Sequence, residues 1–186
     1  LVDDFSDWTQ HKFPVHARPP EQAVVRGAGE DARYTRAPGG REALVVNDHD
    51  LVTELWVYEA DGRKIRTRRL NELLPARQLA QADPVYTSGL SFTADGKRLF
   101  FAIGDAGIVE QEVRLMRYDV DADRLEQVGT LSGPGGSVSP DGRLFYYAHA
   151  DGDRHDLAAL DLATGKAQLV LHAAARQYVG TVRPSP

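Results

Sequence analysis

Three features of this 186-residue sequence predict an all-β fold, a β-propeller built from four-stranded antiparallel blades. A short hairpin unit recurs along the chain, a second hairpin follows each copy, and tight-turn residues sit at matching places in every copy. Seven Tyr, six Phe and two Trp against a single Met suit sheet packing better than a helical bundle.

The clearest copies align without gaps around an Asp-Gly turn. One runs from Leu90 through Asp95-Gly96 to Phe101, the other from Gly136 through Asp141-Gly142 to Tyr147. Asp-Gly closes such hairpins because glycine accepts a positive φ and aspartate tolerates it. A looser copy spans Arg33 to Val46, with Gly39-Gly40 at its turn. The second hairpins follow at Leu55–Ile65, Leu115–Leu125 and Leu157–Leu169, so each unit holds strands A to D. The turn glycines 40, 96 and 142 are spaced by 56 and 46 residues, within the range of propeller blades. A β-sandwich also has many short strands, but it does not repeat a four-strand unit with one turn chemistry.

This divides the chain into 1–32 (outer strands of a partial blade), 33–87 (a blade with an insertion after strand D), 88–134 and 135–174 (blades), and 175–186. The last stretch reads as the first strand of a further or closing blade. About three complete blades are therefore expected, plus parts of another. An open stack leaves apolar blade faces uncovered. Membership of a larger propeller is accordingly expected over self-closure as four blades or a ring of two chains.

The repeat Ser139-Pro140-Asp141-Gly142-Arg143, followed by Asp161-Leu-Ala-Thr-Gly-Lys166, resembles the TolB-like propeller repeats. Such repeats also build the propellers of prolyl-oligopeptidase-type peptidases. The resemblance covers residues 33–186. It implies a blade fold and, because these repeats are frequent in exported bacterial proteins, a periplasmic or extracellular location. It implies no single activity.

Composition excludes several classes. A formal charge of −5 argues against phosphate-backbone binding to nucleic acid. With no cysteine there is no disulfide, thiolate zinc site or cysteine nucleophile. No apolar run approaches the length of a membrane-spanning helix. The first residue, Leu1, suits a processed or trimmed chain.

Counting strands places the B–C loops (47–53, 103–112 and 149–156) and the D–A connections on one side of the stack. That side carries Asp48, His49, Asp50, Asp105, His149, Asp151, Asp153 and His155. Imidazole beside carboxylate suits a divalent cation or a cationic ligand, while the bland alternative is a set of solvated loop residues. Other motifs are weaker. Asp119-Val-Asp121-Ala-Asp123 lacks the glycine and glutamate of a calcium loop and reads as a C–D turn. Gly135-Gly-Ser-Val-Ser139 lacks the last glycine of a nucleophile elbow. Arg63–Arg69 reads as charged protection of an outer edge strand.

No catalytic constellation emerges. The expected function is a non-catalytic module binding a protein, peptide or ligand through its acidic loop face. The alternatives are the substrate-gating propeller of a secreted peptidase, or a metal-dependent lyase-type propeller using His49, His149 and His155. No cofactor is implied beyond that divalent cation. Another chain or domain is expected to complete the propeller.

Overall fold

The computed structural model describes residues 33–47, 52–73, 85–105, 113–133, 135–151 and 154–172. Twelve strands make three four-stranded antiparallel sheets, each following chain order from strand A to strand D. The first holds β1 (Arg33–Arg36), β2 (Glu42–Asn47), β3 (Thr53–Tyr58) and β4 (Lys64–Arg69). The second holds β5 (Val85–Phe92), β6 (Arg98–Asp105), β7 (Val113–Asp119) and β8 (Arg124–Leu131). The third holds β9 (Ser137–Val138), β10 (Leu144–Asp151), β11 (Arg154–Asp161) and β12 (Ala167–Leu171). This is the expected stack of propeller blades.

The middle sheet shows why the pattern needs neighbours. Leu99, Phe100, Phe101, Ala102 and Ile103 on β6 are all fully buried, because the sheet is covered on both faces. Alternation sends Leu99, Phe101 and Ile103, with Met116 and Tyr118, towards Ala43, Val45, Leu55 and Val57 of the first sheet. Phe100, Ala102 and Leu115 meet Phe145, Tyr147, Ala158 and Leu160 of the third sheet. The Phe100 and Phe145 rings lie 6.5 Å apart in a tilted arrangement. Each fully buried ring contributes about 1.5–3 kcal/mol.

The two Asp-Gly turns are equivalent, as the repeat requires. Thr93 donates to Asp95 and Ser139 to Asp141, both at 2.6 Å, and each aspartate accepts the backbone N–H two residues on. Gly96 and Gly142 have φ of +67° and +71°. The first hairpin differs. Ala37 N–H bonds Arg41 C=O, whereas Thr93 N–H bonds Arg98 C=O, so this turn is one residue shorter. Arg41 therefore takes the place of Arg98, and the looser first copy runs one residue short of the other two after Gly40.

Polar bonds tie blade to blade. Ser88 and Ser91 on β5 accept the N–H groups of Gly135 and Val138, at 2.9 and 3.0 Å. Ala94 N–H bonds Pro140 C=O, and Arg41 donates to Gly96 C=O. The basic run on β4 does more than guard an edge. Arg68 reaches Asp123 of the second sheet at 2.6 Å, and Asp123 also accepts the hydroxyl of buried Tyr118.

Candidate functional site

The two ends of the stack differ in what their carboxylates do. At the end that carries the A–B and C–D turns, aspartates cap backbone N–H groups. Asp61 takes that of Arg63, Asp119 that of Ala122, and Asp161 those of Ala163 and Thr164. Glu59 and Asp121 both pair with Arg41, at 3.0 and 3.1 Å. Such bonds favour the charged form. The Ser139 hydroxyl holds Asp141 below the usual carboxylate range, and the Thr93 hydroxyl does so for Asp95. The Tyr118 hydroxyl, then Arg68, lowers Asp123. Burial pushes the Tyr118 hydroxyl up to about 12, with Asp123 adding to the effect.

The other end holds the residues singled out by sequence, and here the strands run further than expected. β10 continues to Asp151 and β11 begins at Arg154, so His149, Asp151 and His155 stand on strands and not in a loop. Asp105 likewise ends β6, opposite Val85. The physical reason is register: the β10–β11 ladder continues without a break from Leu144↔Asp161 to Asp151↔Arg154. His149 therefore faces Asp156 across the ladder, while His155 is opposite Ala150. Asp48, His49, Asp50 and Asp153 lie outside the described residues, as do the side chains of Asp105, Asp151 and His155.

Around His149 a small polar cluster forms where the second and third sheets meet. Its Nδ1 is hydrogen-bonded to the Ser132 hydroxyl, just past β8, and its ring stands edge-on to Tyr147 at 6.4 Å. Asp156, on the same face, is only 2% exposed. His172, directly after β12, sets its Nδ1 3.4 Å from Asp156 Oδ2 while its own side chain is 72% exposed. Sequence reading did not single out Ser132 or His172, and took Asp156 only as the end of the 149–156 loop. The available signal was the sharing of one side by B–C ends and D–A connections, which is where all three lie.

Chemically, this cluster can hold a charge but does not assemble a nucleophile. Ser132 is bonded to the nitrogen that a Ser-His-acid relay gives to its carboxylate. Among the described residues, no three His, Asp or Glu side chains come close enough together to hold a metal ion.

No family model matches the chain, and no curated protein matches it in sequence. Solved structures do resemble it. TolB from Acinetobacter baumannii superposes with a TM-score of 0.54 at 17% identity, over 80% of this chain and 34% of its own. A structure from a study of two prolyl endopeptidases gives 0.53 at 19% identity, over 77% of this chain and 22% of its own. The β-propeller domain of the Trilobed protease from Pyrococcus furiosus gives 0.51 at 10% identity, over 75% and 43%. These likenesses show the propeller fold. The chain spans about a third of the TolB structure's length.

Proposed function

We propose that the chain is a non-catalytic propeller module that binds a cation or a basic segment of a protein partner at the Ser132–His149–Asp156 end. One observation carries this reading. The turn-end aspartates cap backbone N–H groups or pair with arginines, whereas buried Asp156 meets a mostly exposed histidine that an incoming Lys or Arg can displace. His149, Asp151 and His155 belong to that end, and Asp48, His49, Asp50, Asp105 and Asp153 are proposed to extend it. A chain of net charge −5 adds long-range attraction for a basic partner and repulsion of polyanions.

Titrating the 15N-labelled chain with hexalysine, and separately with Ca2+ or Mn2+, tests this. Shifts centred on Ser132, His149, Asp156 and His172 support the reading. Shifts centred on the Asp61, Asp95 and Asp141 turns overturn it.

The second reading is a substrate-gating propeller of a secreted peptidase whose catalytic domain lies outside this chain. The prolyl endopeptidase likeness favours it. A lyase-type propeller using a metal at His49, His149 and His155 has less support, since His149 pairs with Asp156 and not with His155. Under all three readings the chain is one part of a larger propeller, exported from the cytoplasm. Residues 1–32 then supply outer strands of one neighbouring blade, and 175–186 supply the inner strand of another.

A further inference from the structure

The residue just before the first leucine of strand C holds the same place in each sheet: Glu54, Arg114 and Asp156. Register confirms the match of the last two. Arg114 is paired with Ile103 on β6 and Asp156 with His149 on β10, and those partners lie one repeat of 46 residues apart. Both side chains point towards the preceding blade. Met116, two places past Arg114, packs among first-sheet residues, and Ala158, two places past Asp156, packs among second-sheet residues.

The three are engaged differently. Glu54 accepts the Trp56 Nε1–H at 2.8 Å and pairs with Arg69, both on its own sheet. Arg114 crosses the junction: its Nη1 donates at 2.7 Å to the C=O of Leu73, in the short 3-10 turn (Asn71–Leu73) that follows β4. A guanidinium thus fills the first junction from within the chain. At the second junction the crossing bond belongs to strand B, where His149 meets Ser132. The strand-C place there is the buried carboxylate of Asp156, which meets the mostly exposed His172. Charge is reversed at one place in an otherwise repeated junction.

Resting on the reading of this end as a cation-binding site, we infer that its guest is an arginine side chain of a protein partner, seated on Asp156 at the second junction as Arg114 is seated at the first. The chemistry of guanidinium favours it over an ammonium group. Its planar fork meets a carboxylate in two parallel bonds. It is more weakly hydrated than ammonium, so less is lost in reaching a buried carboxylate. It also stacks on aromatic faces, and the rings of Tyr147 and His149 stand on the same face of the sheet as Asp156. A carboxylate offers about four acceptor directions, so the guest joins the partners Asp156 already has as His172 gives way.

Calorimetric titration of the 186-residue chain with hexalysine, and with the same peptide carrying Arg in place of one Lys, separates the two basic groups at equal charge. The arginine peptide is expected to bind about threefold tighter or more, and Asp156→Asn to remove that advantage. Equal affinity, a preference for hexalysine, or an advantage that survives Asp156→Asn overturns the inference and leaves the cation-binding reading standing. Binding of neither peptide overturns both. In the 15N spectrum, shifts from the arginine peptide should centre on Ser132, Asp156 and His172, and shifts centred on Leu73, Ile103 and Arg114 overturn the assignment to the second junction. Asp156→Arg supplies an internal guanidinium, as Arg114 does, and is expected to abolish binding of the arginine peptide. Undiminished binding by that variant, once folded, overturns the inference, and the peptide comparison decides the matter whether or not it folds.

Discussion

Replacing Ser91 by alanine should expose how much the inner strands contribute to holding the blades together. Ser91 is 9% exposed, and its Oγ accepts the buried N–H of Val138 at 3.0 Å from across the blade interface. β9 is only two residues long, so it has few ladder bonds with which to compensate. Alanine leaves the Val138 N–H in an apolar setting without its acceptor, which costs about 1–3 kcal/mol. Ser88 makes the parallel bond to Gly135, but that N–H is only partly buried, so water replaces the hydroxyl and Ser88→Ala costs about 0.5–1 kcal/mol. Urea denaturation at unchanged m-value reads both differences, and hydrogen exchange at the Val138 amide localises the first. If Ser91→Ala costs no more than Ser88→Ala, or Val138 protection is unaltered, the stitch is not what holds the third blade's inner strand.

The Asp123 junction should behave as an acceptor for Tyr118 more than as an ion pair. Asp123→Ala costs about 1–3 kcal/mol by orphaning a buried hydroxyl, Tyr118→Phe added to it recovers part of that loss, and Arg68→Ala alone costs under about 1 kcal/mol because the pair is over a third exposed. Denaturant midpoints of the four proteins decide it. Acid should destabilise the fold in a defined window. Asp95, Asp123, Asp141 and Asp161 titrate below their unfolded value of about 3.9, so their contribution is complete above that pH and is lost as pH falls through the folded values. Melting temperatures should be level from pH 7 to about 5 and drop below about 4, and a drop already complete by pH 5 would contradict this. At the loop end, Asp156→Asn should weaken hexalysine binding about threefold or more, because the carboxylate is the acceptor proposed for the ammonium group, while Asp141→Asn leaves it unchanged. Calorimetric titration measures both.

Most of the architecture is legible because one repeat states it three times. Turn glycines, alternating apolar positions and the Asp-Gly signature locate every sheet before any coordinate is known. What escapes is what depends on neighbours. Gly39-Gly40 offers no residue that says how many positions the turn takes, and only the Ala37–Arg41 bond reveals the missing one. The strand ends at Asp105, His149 and His155 read as loop because polar residues dominate there. Strand length, however, is set by the partner across the ladder. Arg68 reads as edge protection because Asp123 lies 55 residues away, and Ser132 is unremarkable until the third sheet brings His149 against it.

The two ends of the stack therefore have different freedom to respond to a ligand. At the turn end, Asp61, Asp95, Asp119, Asp141 and Asp161 close their own turns, and Arg41, Ala94 and Arg68 cross to the next blade, so movement there breaks several bonds together. At the other end, His149 and Asp156 are anchored on a paired ladder, whereas His172 follows β12, an outermost strand exposed along its whole length. Under the proposed binding mode, a cation that displaces His172 from Asp156 acts on a contact beside an edge strand and away from the interlocked turns. The proposed binding therefore predicts adjustment at β12 and His172, on a frame for Ser132, His149 and Asp156 supplied by the paired ladder beneath.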